Sequence, residues 1–121
     1  MPRISPHVAA IRCFACETAH DPRTLLTVCS KCGMPLRVDY DLSGVRLARS
    51  DLAGRPATLW RYREVLPLVE GDETTLAEGF TPLVPVEPRV WVKDEARNPT
   101  GSFKARGMAL AVSMEIGRAH V

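Results

Sequence analysis

Two Cys-x-x-Cys pairs, Cys13-Phe-Ala-Cys16 and Cys29-Ser-Lys-Cys32, constrain this 121-residue chain more than any other feature. Twelve residues separate them, and they use all four cysteines. Four thiolates paired at this spacing suit a closed, tetrahedral zinc site with a structural role. Three other uses stay open at this stage: two disulfides, unrelated free thiols, or an iron–sulfur cluster. The chain starts without a charged and apolar signal segment, so a reducing, cytoplasmic setting is expected, and zinc is the leading reading. Gly33 follows the second pair, where the chain must turn sharply past a metal. Ile11, Phe14, Leu25, Leu26, Val28 and Leu36 are expected to form a thin cluster around it. So small a cluster buries little. Structural zinc in such peptides supplies on the order of 10–16 kcal/mol, which becomes folding free energy. This part is therefore expected to be disordered without metal.

Composition sets the class and little else. Hydrophobic residues make up 45%, charged residues 25%, and the net charge is +2. These values are ordinary for a globular protein. No apolar run approaches the roughly 20 residues needed to cross a bilayer, so no membrane partner is expected. Arg37, Arg46, Arg49, Arg55, Arg61 and Arg63 are scattered among acids, with no aromatic residues interleaved along a basic stripe. That pattern is a solvated surface, and no nucleic-acid partner is expected.

The second informative stretch is Asn98-Pro-Thr-Gly-Ser-Phe-Lys-Ala-Arg-Gly107. A strand-like run, Val90-Trp-Val-Lys-Asp-Glu95, precedes it. Pro99 and Gly101 define a turn. Thr100 or Ser102 is able to cap the helix that follows, predicted from Ser102 to about Met114. Lys104 then stands on the first helical turn, with Phe103 beside it as a shield from water. Desolvation favours the neutral, nucleophilic amine. Such amines condense with carbonyl compounds, pyridoxal 5'-phosphate (PLP) included. A solvated lysine in a capped helix is the competing reading. Asn98, Thr100 and Lys93 stand close enough along the chain to line a substrate pocket. Lys93 suits an anionic group but equally suits an exposed strand position. Arg106 is expected to form a structural ion pair with an acid elsewhere.

The run from Trp91 to Ser113 resembles the cofactor-lysine segment of threonine synthases, PLP enzymes of the tryptophan-synthase-β type (fold type II). Glu78-Gly-Phe-Thr-Pro-Leu83 resembles the Glu-Gly-x-Thr-Pro-Leu signature that precedes it in that family. Ala105 departs from the acidic residue many relatives carry after the lysine. The resemblance implies Lys104 as the catalytic lysine, with Ser102 and Phe103 beside the cofactor. It also implies O-phosphohomoserine as the small-molecule substrate, with L-threonine and phosphate as products. A subset of the family resembles this chain in placing a cysteine ribbon ahead of the catalytic domain. Cysteate synthase, a threonine/serine dehydratase, and a non-enzymatic zinc-ribbon binding module remain alternatives.

The predicted organisation is α/β. A loose terminus (1–7) leads into a zinc ribbon (8–42), whose second arm, Pro35 to Tyr40, alternates as a short strand. A connector (43–78) follows, with Trp60 to Leu66 as a helical turn or two in an ordinary packing segment. Residues 79–115 are expected to be the first β–α unit of a truncated fold type II domain, with a Pro-rich arm, one strand and one helix. Residues 116–121 read as an adapter-derived tail, with His120 incidental. The Gly-rich loop that holds a cofactor phosphate in such folds is not in the sequence, so this chain by itself is expected to be inactive.

Overall fold

The structure is a computed structural model that describes residues 3–69 and 71–119, with side chains to residue 116. Two small antiparallel sheets and one long helix carry the architecture. The first sheet has the order β2-β1-β3, with β1 Val8–Cys13, β2 Ala19–His20 and β3 Leu36–Tyr40. Its register pairs Ile11 with Val38 and Cys13 with Leu36. The same register sets Arg12 opposite Arg37, a repulsive cross-strand pair when left alone. Asp39 relieves it, accepting from Arg12 Nε at 2.8 Å and from Arg37 Nε at 2.9 Å. Those two guanidiniums, Arg12 first, hold the Asp39 carboxyl below its ordinary range.

The expected apolar cluster around the cysteines is thinner than the sequence implies. Phe14, Leu25 and Val28 are exposed, and Phe14 lies under the Arg37 guanidinium instead, at 5.5 Å. The segment 3–7, expected to be loose, is bonded to the connector from residue 3. Ser5 N donates to Pro67 O at 2.8 Å, Val69 N donates to Arg3 O at 3.0 Å, and Ile4 bridges Leu68. Ser5, Leu66 and Leu68 are all buried here.

The connector forms two 3₁₀ segments, Arg49–Leu52 and Leu59–Val65. The second matches the helical turns expected around Trp60. Thr58 Oγ1 accepts from Trp60 N at its start, and the backbone returns to an extended conformation at Leu66, as the residue before Pro67 should. A bidentate pair, Arg55 Nη1 and Nη2 to Glu64 at 2.8 and 2.6 Å, closes the connector on itself.

The Pro-rich arm is a strand. β4 (Leu83–Glu87) pairs antiparallel with β5 (Val90–Lys93). Pro85 is tolerated because this is a two-stranded hairpin with open edges and a register shift beside it. The single strand expected before the helix is therefore one arm of a hairpin. Among the described residues both sheets are antiparallel, and neither shows the parallel pairing of a doubly wound domain. Glu95, read as the end of the strand, opens a 3₁₀ turn, Glu95–Arg97.

The helix α1 spans Lys104–Ala119, not Ser102 to about Met114. Gly101, at φ 75°, holds the turn open for two more residues. At the far end no proline follows Met114, and the helix runs through Gly117 and on to Ala119, taking in residues 116–119, which were set aside as a tail. His120 lies outside the described residues. Ala105, Ala109 and Ser113, spaced i, i+4, i+8, are the buried stripe of α1. Phe103 just ahead of the helix, and Met108, Val112 and Ile116 on it, are exposed. The buried residues of α1 thus lie along one narrow line.

Candidate functional site

Two sites emerge, one at each group of motif residues. The first is the cysteine cluster. β1 delivers Cys13 at its end, and β3 leads away from the second pair. In the first knuckle Cys13 N donates to Thr18 O at 3.0 Å. In the second, Cys29 N donates to Met34 O and Gly33 N donates to Cys29 O, both at 2.9 Å. Amides point inward at the sulfurs: Ala15 N and Cys16 N to Cys13 Sγ, and Lys31 N to Cys29 Sγ, at 3.3–3.4 Å.

The four Sγ atoms lie within 4.8 Å of one another. Cys13 to Cys32 and Cys16 to Cys32 are 3.5 Å apart, and Cys16 to Cys29 is 3.7 Å. Bonded sulfurs stand about 2.05 Å apart, and all four cysteines are free. The disulfide reading is excluded. A tetrahedron with Zn–S of about 2.3 Å has edges of about 3.8 Å, close to the distances seen. The four residues are therefore able to hold a metal, and a soft thiolate set of this shape selects zinc or iron. The Thr18 hydroxyl and amide pull the Cys16 thiol down to about 6. The Met34 amide pulls Cys32 the same way, but the facing sulfurs of Cys13 and Cys16 outweigh it and push Cys32 up to about 12.

The residue after each pair takes the left-handed conformation: Gly33 at φ 74° and Glu17 at φ 57°. Glycine does this freely. Glu17 is held there by Arg37, bidentate at 3.0 and 2.7 Å, and by Arg12 Nη1, which donates to Glu17 O at 3.0 Å.

The second site is the lysine turn. Lys104 is the first residue of α1, its backbone N–H donating to Ser102 Oγ at 3.2 Å. Ser102 thus caps the turn, while Thr100 is exposed on the wall of a groove against α1. Lys104 is exposed, and Phe103, 64% exposed, lies open beside it rather than covering it. No described side chain packs over either. Lys104 Nζ has no hydrogen-bond or ion-pair partner among the described residues. Lys93, by contrast, donates its Nζ to Thr81 O at 2.7 Å, tying the base of the hairpin.

Behind the lysine turn lies a hub that sequence reading missed. Glu95 Oε1 accepts from Thr81 Oγ1 at 2.5 Å and from Arg106 Nη2 at 2.7 Å. Its Oε2 accepts from Arg106 Nε at 2.8 Å and from Asn98 Nδ2 at 2.9 Å. These donors, Arg106 above all, hold the Glu95 carboxyl far below its ordinary range. Asn98 is 5% exposed, and its Oδ1 accepts from Gly79 N at 2.9 Å. Its amide is thus fully engaged inside the protein. The acid expected to pair with Arg106 is Glu95, eleven residues earlier and invisible to any helical i,i+4 pattern.

Glu78 anchors the other motif. It is 2% exposed. Burial by itself would raise its pKa, but donation from Leu76 N, Thr75 Oγ1 and Trp60 Nε1 keeps it below the ordinary value. The Trp60 indole bond, at 2.7 Å, gives the connector a specific partner where only general packing was expected. Gly79, at φ 91°, is required: a Cβ there would stand 2.6 Å from Leu59 N. Tyr62, Phe80, Thr81, Pro82, Leu83, Lys93 and Arg106 line an open cleft of about 520 Å³ above the hub.

With this geometry in view, the chain's relatives are informative. It is 34% identical to a threonine synthase of Methanosarcina acetivorans over 117 residues, 88% of this chain and 29% of that protein. Against a threonine synthase of Methanocaldococcus jannaschii the figures are 34% over 113 residues, 84% of this chain and 28% of the relative. A threonine synthase of Halalkalibacterium halodurans is 48% identical over 63 residues, 46% of this chain and 18% of the relative. No family model matches the chain, and no solved structure matches it. The first match is long enough to take in both the second cysteine pair and Lys104. Two such relatives thus match along most of this chain, which is similar to threonine synthases and spans less than a third of their length.

Proposed function

We propose that this chain is the lysine-bearing piece of a threonine synthase, which converts O-phospho-L-homoserine and water to L-threonine and phosphate. The observation that carries the reading is Lys104. Its amine is exposed and unpartnered at the start of a capped helix, in a stretch similar to curated threonine synthases. An accessible primary amine is the donor that a carbonyl cofactor requires, so the residues present fit PLP. When bound, PLP supplies the electron sink that stabilises charge at a substrate carbon.

Lys104 would hold the cofactor and would move protons at the reacting carbon. Ser102 fixes the backbone from which it projects, and Phe103 lies open beside it. Thr100 faces the groove along α1 and is the better placed of the substrate-binding candidates. Asn98 and Lys93 instead hold the turn and the hairpin. The four cysteines would hold a structural zinc ion.

The test is made on the protein that carries this chain. Phosphate release from O-phosphohomoserine is expected, with sulfite incorporation into O-phosphoserine absent. Lys104→Ala abolishes turnover while leaving the melting temperature within about 2 °C, because an exposed, unpartnered side chain contributes little to stability. Full turnover by that variant would overturn the reading.

A further inference from the structure

We propose that Glu95 is a positioning residue for Lys104, setting the rotation of the first turn of α1 through Arg106; this rests on the reading of Lys104 as the cofactor lysine. Two residues along a helix is about 200° of rotation, so Lys104 and Arg106 point to nearly opposite sides. Arg106 is drawn inward by two bonds to one carboxylate. Ala105 between them is buried. With those two positions fixed, the Lys104 side chain has one direction left, away from the hub and into the open.

The hub also joins the parts that must agree for this to matter. Thr81 belongs to the Glu-Gly-Phe-Thr-Pro-Leu stretch, Asn98 to the turn before the lysine, and Arg106 to the helix. All three donate to Glu95. Asn98 further accepts from Gly79 N and donates to Glu95 O. Charge-assisted bonds of this kind are the strong ones, and a bidentate pair fixes angle as well as distance. Apart from the Ser102 cap and the small buried side chains of Ala105 and Ala109, the helix start has little else to hold it. Phe103 and Met108 are exposed, and Ser113, bonded to Thr74, lies more than two turns further on.

The exchange measurement uses the whole 121-residue chain, and the labelling uses the protein that carries it, with the three lysines of this chain (Lys31, Lys93 and Lys104) read separately. First, amide hydrogen exchange is measured at Ala105 and Arg106, whose N–H groups close the first turn on Ser102 O and Phe103 O. Glu95→Gln should speed exchange there about tenfold, the factor expected from losing one charge-assisted bond. Glu95→Asp should recover part of it. Glu64→Gln, which breaks the comparable Arg55 pair in the connector, should leave it unchanged.

Second, the protein that carries this chain is incubated with PLP, reduced with borohydride and digested, and the label on Lys104 is compared with that on exposed Lys31. Wild type should favour Lys104; Glu95→Gln should lose most of that preference, and Glu95→Asp should regain it. Unchanged exchange in Glu95→Gln would overturn the clamp. Faster exchange with the labelling preference intact would overturn its link to the amine. Faster exchange, with no preference for Lys104 in the wild-type protein that carries this chain, would keep the clamp and sink the cofactor-lysine reading instead.

Discussion

Glu17 and Gly33 occupy the same place in the two knuckles, and only one of them is a glycine. A non-glycine residue in the left-handed region costs roughly 1–2 kcal/mol. Glu17 offsets part of this with Arg37, in an exposed pair that solvent screens. Glu17→Gly should therefore be nearly neutral in a thermal melt of the zinc-loaded chain. Gly33→Ala, with no neighbour within 4 Å of the added carbon, should cost about 1 kcal/mol from backbone conformation alone. Trp60→Phe should cost more, about 1–3 kcal/mol in urea unfolding, because it removes one of three donors to the buried Glu78. Single residues were legible where chemistry repeats in short spacing. The four cysteines, the Ser102 cap and the Gly33 turn can be read from adjacent letters. The Glu95 bonds to Arg106 and Thr81 and the Trp60–Glu78 bond could not, because those partners lie eleven or more residues apart and nothing local marks them.

At the scale of elements, period and punctuation explain both the success and the errors. The alternation of Leu36 to Tyr40 and the stop before Pro67 gave a strand and a helical segment where the structure has them. Pro85 hid β4, since a proline argues against a strand unless the strand lies at an edge. The start of α1 was set too early because the turn at Gly101 and the cap at Ser102 read alike from sequence. The connector's Arg55–Glu64 pair makes a separate prediction. Its guanidinium holds the Glu64 carboxyl down to about 2 from an ordinary 4.5. The folded value is the lower one, so the pair stabilises fully above about pH 4.5 and is lost as pH falls toward 2. Urea midpoints measured across that window should fall, and the fall should be shallower in Glu64→Gln.

For the whole molecule, the buried core is small and split between the cysteine cluster, Leu66 with Leu68, and Ala105 with Ala109. No described helix is long and apolar enough to cross a membrane. With so little apolar burial among the described residues, the chain would lean on a metal held by its four cysteines. Chelation should collapse the amide resonances of residues 8–40 while those of residues 104–113 persist, and zinc should restore them. Because thiols shed protons on binding a divalent ion, apparent affinity should rise with pH between 6 and 8. Residues 3–13 give this dependence a longer reach. One uninterrupted length of backbone runs from the contact at Pro67 and Val69 to Cys13 at the cluster. Stripping the ion would feed slack down that thread, so a chelator acting at one end would unfasten a seam that contains no cysteine at all.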